Sequence, residues 1–455
     1  MRFPLLCGWL MSLALVAADR PNIIVILADD QGFGDLGANN PQSKIATPQL
    51  DALAKGGVRF TDGHTSSGVC TPTRYSLLTG RYHWRTKLQS GVLGGFSTPL
   101  IAKDRLTLAG LLKQQGYATG CFGKWHLGMS FPLKNGGVAD DGGNFSKAFQ
   151  DAASVDYGRD IVDGPVDHGF DTFFGISASL DMPPFVWIKD RRVTEIPSAT
   201  KTWLRTGPAG PKFEAVDVMP SVIDQTIAFI EGQKKADPAK PFFAYVPLNA
   251  PHTPIVPTKE FQGSSGISPY ADFVKQVDHD VGRLLASLDK LGLTENTLVI
   301  FTSDNGSEPG GDPDPESAGV RFFLGLMDYD TDYDNLGLKG SWNSLGPSFA
   351  SAAASPLAYY KFYAGEGGLR VPLIISGEPL AVAKPITNAF SYVTDITPTI
   401  LELAGVTAAS ANGAEAKDSV KLESIIGRSL LPLVSAEKSR VYSSEDTIGY
   451  EIGGN

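Results

Sequence analysis

The 455 residues carry a formal charge of −10 and a pI near 5.2, with 42% hydrophobic and 19% charged side chains. That length exceeds one minimal domain and suffices for a large α/β core, while the ordinary composition excludes a disordered or fibrous chain. The acidity leaves no global basic surface to recruit nucleic acid, so an anionic ligand must be drawn by a local cluster of cations or by a metal.

The chain opens with Arg2, a short apolar stretch and a Val-x-Ala ending at Ala18. This pattern predicts a secretory signal over residues 1–18, with cleavage before Asp19 and export to the periplasm or medium. It is too short for a comfortable membrane span, and no later stretch is long and apolar enough for one. Cys7 leaves with the signal, so the mature chain keeps Cys70 and Cys121, too few for a disulfide framework.

Short β-rich runs recur at Asn22–Ala28, Ala118–Phe122, Phe242–Leu248, Thr297–Thr302 and Val371–Ile375. They read as buried strands of a mainly parallel sheet with helices on both faces. Helical patterns cover Thr47–Gly56, Leu106–Gln115 and Tyr270–Leu291, the last with Phe273, Val274, Val277, Val281, Leu284, Leu285 and Leu288 on one face and Gly292 at its stop. Residues 308–340 are acidic, rich in Gly and Pro and without period, and read as a long loop.

In open α/β sheets ligands gather beyond the carboxyl ends of the strands. Asp29-Asp30 follow the first run, Lys124 and His126 the second, His252 the third and Asp304-Asn305 the fourth. Asp29, Asp30, Asp304 and Asn305 are hard oxygen donors, suited to Ca²⁺ or Mg²⁺; taken singly, such pairs are more often turns and caps. Lys124 and His126 flank Trp125 and would share one face if the strand continued. His252 stands between Pro251 and Pro254, which restrict its backbone. Gly32-x-Gly34-x-x-Gly37 after the first strand copies a dinucleotide fingerprint, but Asp29 and Asp30 would face a pyrophosphate there and no helix pattern follows.

The most specific string is Cys70-x-Pro72-x-Arg74-x4-Thr79-Gly80. Pro72 suits the first turn of a helix through Leu78, which leaves Cys70 at an N-terminus, where anions bind. This string resembles the signature of type I sulfatases, in which the cysteine is oxidised to formylglycine. The Gly-Lys-Trp-His-Leu-Gly block at 123–128, His168-Gly169-Phe170-Asp171, Ser303-Asp304-Asn305-Gly306 and Glu366-Gly367-Gly368-Leu369-Arg370 extend the resemblance, particularly to bacterial arylsulfatases.

The resemblance implies an alkaline-phosphatase-like α/β/α sandwich, with a catalytic domain over 19–410 and the start of a small, incomplete C-terminal subdomain over 411–455. It implies a sulfuric ester hydrolase matured by a formylglycine-generating enzyme and acting on an aryl sulfate or a sulfated carbohydrate. Asp29, Asp30, Asp304, Asn305 and the modified Cys70 would hold Ca²⁺, with Mg²⁺ the alternative. Arg74 and Lys124 would steady the diol and sulfate oxygens, His126 would take the proton for collapse of the enzyme sulfate ester, and His252 and Lys361 would contact sulfate and assist the leaving oxygen. A phosphonate or phosphate ester hydrolase using the same group, and a silent sulfated-glycan binder with unconverted Cys70, are the alternatives. His83, His168 and His279 read as bystanders, and His64 as support behind Cys70. Residues 440–455 are expected to have few partners, because relatives continue beyond the Gly449-Tyr450-Glu451 segment.

Overall fold

In the computed structural model, residues 20–142, 152–309, 330, 346–380, 382–406 and 424–453 are described. The 1–18 segment and most of the acidic loop lie outside them.

Among the described residues, fourteen strands follow in chain order. They are β1 (Asn22–Asp29), β2 (Gly57–Phe60), β3 (Gly63–His64), β4 (Ala118–Lys124), β5 (Thr172–Ile176), β6 (Ile188–Lys189), β7 (Arg192–Val193), β8 (Ala199–Trp203), β9 (Arg205–Ala209), β10 (Phe242–Pro251), β11 (Thr297–Ser303), β12 (Leu373–Ser376), β13 (Ile386–Thr387) and β14 (Ser391–Tyr392). Ten of them form one sheet in the order β13-β2-β12-β11-β1-β10-β4-β5-β6-β7. Its centre, β11-β1-β10-β4-β5, is parallel throughout. Antiparallel pairs flank it, so the run predicted at 371–375 enters as β12, antiparallel to β11.

The helices used below are α1 (Pro48–Lys55), α2 (Cys70–Thr79), α3 (Leu108–Gln114), α4 (Val218–Ala236), α5 (Pro269–Lys290), α6 (Gly346–Ala354), α7 (Glu366–Leu369) and α8 (Ile396–Leu403). Successive residues of β1 point to opposite faces. Ile23, Val25 and Leu27 join one core with Leu77 of α2, Leu112 of α3 and Ile400 of α8. Ile24, Ile26 and Ala28 join the other with Leu50 of α1, Val222 of α4 and Val277 of α5. Two apolar layers around a fully buried sheet explain why its strands read as continuous apolar runs. This is the alkaline-phosphatase-like α/β/α architecture.

Gly32 and Gly34 serve packing, in keeping with the rejected dinucleotide fingerprint: a Cβ would stand 2.3 Å from the Ala353 carbonyl oxygen at Gly32 and 2.1 Å from that of Ser355 at Gly34. One local expectation is corrected. Residues 440–453 are well partnered, because Glu451 pairs with His83 at 3.0 Å, the Tyr392 hydroxyl donates to the Gly449 carbonyl and Arg428 binds Asp446. Leu430, Leu433 and Val434 belong to the first core.

Candidate active site

Helix α2 begins at Cys70 after an extended Val69 and ends at Gly80, whose φ of +66° supplies the left-handed cap. All ten of its residues are buried, and Pro72 lies in its first turn. Cys70 is thus fixed at a helix N-terminus against the ends of β1 and β11. Its Sγ lies 3.5 Å from Asp29 Oδ1. Burial, and next the Asp304 carboxylate, push the thiol well above its ordinary pKa. An unmodified Cys70 is therefore a protonated thiol, a poor nucleophile.

Each strand-end carboxylate meets a cation. Lys124, the last residue of β4, reaches both Asp29 oxygens at 2.9 and 2.7 Å. Arg74, one turn along α2, bonds Asp304 Oδ2 at 3.0 and 2.6 Å through Nε and Nη2, and gives its remaining Nη1 to the Lys124 carbonyl at 2.8 Å. Lys361 approaches Asp30 Oδ2 at 2.8 Å. Asn305 donates to Asp30 Oδ1 at 2.5 Å. Asp30 itself has a φ of +66°, which turns its carboxylate back toward these partners.

Burial alone would raise every one of these acids. At Asp29 that effect is outweighed by Lys124, His252, Arg74 and Lys361, and the group sits well below the ordinary range. At Asp30 burial prevails over Lys361 and His252, with Glu308 and Asp29 adding repulsion, and its pKa rises to about 7. Asp304 is also raised, by burial and then by Asp29.

The histidines differ. Strand β4 ends before His126, so Lys124 and His126 are not aligned by a common pleat; His126 instead enters the cavity through a left-handed turn with φ +54°. Its Nε2 bonds the Leu93 carbonyl at 2.7 Å, and Nδ1 is buried without a partner. Burial, then Lys124 and Arg74, hold its pKa well below 6.5. With Nε2 as the donor, Nδ1 carries the free lone pair of a neutral base. His252 is raised instead: burial and Lys361 oppose its charge, but Asp30, Asp29 and Glu308 together prevail.

Cys70, His126, His252 and Lys361 open onto a cavity of about 410 Å³. The structure thus brings together every residue that the sequence singled out for the site. His64 is bonded to Glu366 and to the Asp62 carbonyl, at 3.3 Å each, and not to Cys70. His83 is held by Glu451, His168 is buried beside Trp125, and His279 is half-exposed against Phe261.

Sequence reasoning missed two contributors. Ser179, three residues beyond β5, bonds Lys124 at 3.2 Å and lies 3.4 Å from His252 Nδ1. Glu308 accepts from Thr253 at 3.0 Å and stands 3.7 Å from His252 and 3.8 Å from Lys361. A serine in a loop carries no sequence signal, and Glu308 was absorbed into the acidic loop that it begins.

The donor set fits a hard cation. Ligand atoms of Asp29, Asp30, Cys70 and His252 lie within 4.8 Å of one another. Asn305 Oδ1 is buried with no hydrogen-bond partner, an orphaned acceptor of the kind that a cation satisfies.

Comparison with known proteins agrees with this geometry. The Sulfatase family profile matches residues 21–406. This chain belongs to the sulfatase family. It is 32% identical over 330 residues to an N-acetylgalactosamine-6-O-sulfatase of Bacteroides thetaiotaomicron, covering 64% of this chain and 59% of the relative. It is 37% identical over 317 residues to arylsulfatase A of Bos taurus, covering 66% and 55%. The matches thus span little more than half the length of these curated relatives. A solved Bacteroides thetaiotaomicron structure, described in connection with the metabolism of multiple glycosaminoglycans, superposes with a TM-score of 0.69 at 26% identity, over 93% of this chain and 83% of that one.

Proposed function

We propose that this sulfatase-family chain hydrolyses a sulfate monoester of a carbohydrate, using a formylglycine made from Cys70 and a divalent cation, Ca²⁺. The observation that carries the reading is Cys70 at a buried helix N-terminus, between a carboxylate–amide cluster and Arg74, Lys124, Lys361, His126 and His252. The carbohydrate is supported by the relative that acts on N-acetylgalactosamine 6-O-sulfate.

Hydrated formylglycine supplies a geminal diol, one oxygen of which can accept sulfate while the other drives carbon–oxygen cleavage that releases it. Asp29, Asp30, Asp304 and Asn305 would hold the cation, which would acidify and orient that diol. The protein's own groups do the rest. Lys124 and Arg74 fix the first carboxylates and add positive charge at the helix N-terminus, where sulfate oxygens would sit. Neutral His126 presents Nδ1 as the base for the diol proton at release. His252, whose charged form is favoured, and Lys361 line the same cavity and would neutralise a leaving oxygen. Residues 1–18 would direct export, and a formylglycine-generating enzyme would have to reach Cys70 before folding buries it.

Mass spectrometry of the Cys70 peptide from an active preparation tests the reading. CHO in place of CH₂SH is expected, and thiol alone in an active enzyme refutes the mechanism. The phosphonate or phosphate ester alternative shares this chemistry; kcat/KM on paired aryl sulfate and aryl phosphate separates the two, with sulfate expected to be faster.

A further inference from the structure

The loop after β5 carries Ser179 to Lys124, and two residues later it carries Asp181 to the wall of the same cavity. Asp181 is only 4% exposed. Its Oδ2 forms an ion pair with Arg205, the first residue of β9, while its Oδ1 is buried and has no hydrogen-bond partner. A buried carboxylate oxygen left unsatisfied is costly, and one that borders a catalytic cavity is explained most simply by a ligand that completes it.

Arg205 is positioned by packed neighbours. It leaves the one-residue tip at Leu204 of the β8–β9 hairpin, where Trp203 pairs with Arg205 and packs edge-on to Phe185 at 4.7 Å between ring centres. Phe185 in turn donates its N–H to the Pro208 carbonyl of β9 at 2.9 Å. Met182, Leu204 and Phe362 add apolar surface to the same cavity. With Arg205 already taken up by Asp181 Oδ2, the unsatisfied, acceptor-only Oδ1 beside this apolar surface matches the hydroxyl donor and C–H faces of a sugar ring.

We propose that Asp181 is a specificity-determining residue: its Oδ1 accepts a hydrogen bond from a ring hydroxyl of the same sugar that carries the sulfate, with Arg205 as its positioning partner. This rests on the carbohydrate sulfatase reading and deepens it. The site then favours a sugar sulfate that keeps this hydroxyl over an aryl sulfate, which has none to offer.

The test is a cycle between enzyme and substrate. Converted wild-type and Asp181→Asn enzymes are assayed on 4-nitrophenyl sulfate, on the hexose or hexosamine monosulfate that the wild type turns over fastest, and on its monodeoxy analogues. Asn keeps one oxygen for Arg205 and turns a donor toward the cavity. The sugar-to-aryl ratio of kcat/KM should fall roughly 10- to 150-fold in the variant, the range for a hydrogen bond to a charged acceptor. One monodeoxy analogue should cost the wild type a similar factor and the variant little. Equal loss on sugar and aryl substrates, or no deoxy analogue showing this coupling, overturns the assignment. If the variant does not fold, the deoxy series on the wild type decides alone. Turnover of the aryl sulfate with no turnover of any sugar sulfate overturns this inference and leaves the sulfatase reading standing; no turnover of either by protein with confirmed formylglycine sinks both.

Discussion

Three buried carboxylates at the strand ends and a single one at the start of α8 are partnered differently. Asp29, Asp30 and Asp304 at the strand ends each contact a cation, at 2.7, 2.8 and 2.6 Å. Asp395, at the start of α8, accepts among the described residues from neutral groups: the backbone N–H of Tyr392 and of Arg428, both at 2.8 Å, and the Tyr442 hydroxyl. The Arg428 guanidinium turns away to Asp446. Burial outweighs these hydrogen bonds and the Arg428 charge, and Asp395 rises to about 7, as Asp30 does despite Lys361. The first set is arranged around charged partners. The second is a hydrogen-bonded knot that ties 392–395, 428 and 442 together.

The largest expected effect comes from breaking the charged set. Asp304→Asn keeps size and one oxygen but removes a negative charge from the proposed ligand set. Alanine would be a poorer probe, since it would strand the fully buried Arg74 as well. We expect kcat/KM to fall at least roughly 10²- to 10³-fold, the scale on which active sites lose preorganised electrostatic groups. Bound Ca²⁺ by elemental analysis should fall with it. Full occupancy with lost activity would remove Asp304 from the ligand set.

The contrast also explains what the sequence revealed. β1, β4, β10 and β11 were legible because both faces are buried, which makes each an apolar run that stops where a site residue starts. Asp29-Asp30, Lys124, His252 and Asp304-Asn305 inherited that clarity. Strand β5, Thr-Phe-Phe-Gly-Ile, is shorter and partly exposed, and it escaped notice together with Ser179 and Asp181 beyond it. The Asp395 knot was invisible for another reason. Its partners come from three separate stretches of chain and are ordinary backbone amides and a tyrosine, so no local pattern announces them.

Substituting within the neutral knot should act on stability and pH response. A carboxyl raised from 3.8 to about 7 favours folding below its unfolded value, and that advantage disappears as pH rises through the folded value. The wild type should therefore lose up to about 4 kcal/mol between pH 4 and 7 through this group, at 1.36 kcal/mol per unit. Asp395→Asn cannot titrate, and its amide meets the Tyr392 N–H as donor against donor. It should unfold at lower temperature than wild type at pH 5, with the gap narrowing toward pH 8. A gap that widens with pH would contradict the assignment.

A smaller effect is expected at the glycine string that copies a nucleotide fingerprint. Gly34→Ala places a methyl against the Ser355 carbonyl and must displace the backbone after α6. We expect about 1–3 kcal/mol of destabilisation from overpacking, read by thermal unfolding. Nicotinamide and adenine dinucleotides should leave the unfolding of wild type unmoved; a clear upward shift would restore the fingerprint reading.

The smallest effect should come from Tyr442→Phe. The hydroxyl is one of three donors to Asp395, and the ring also lies under the Arg428 guanidinium at 4.6 Å. Phenylalanine keeps the ring and that stacking, so only the donor is lost, worth about 1 kcal/mol when two other donors remain. The sign of its pH dependence is more informative than its size. The hydroxyl stabilises ionised Asp395 more than the neutral acid, so its removal should raise the Asp395 pKa further and cost more at pH 8 than at pH 5. This is the reverse of the trend for Asp395→Asn, and unfolding curves at the two pH values distinguish them. An equal loss at both would mean that Tyr442 acts through packing alone, and that the knot is held by its two backbone amides.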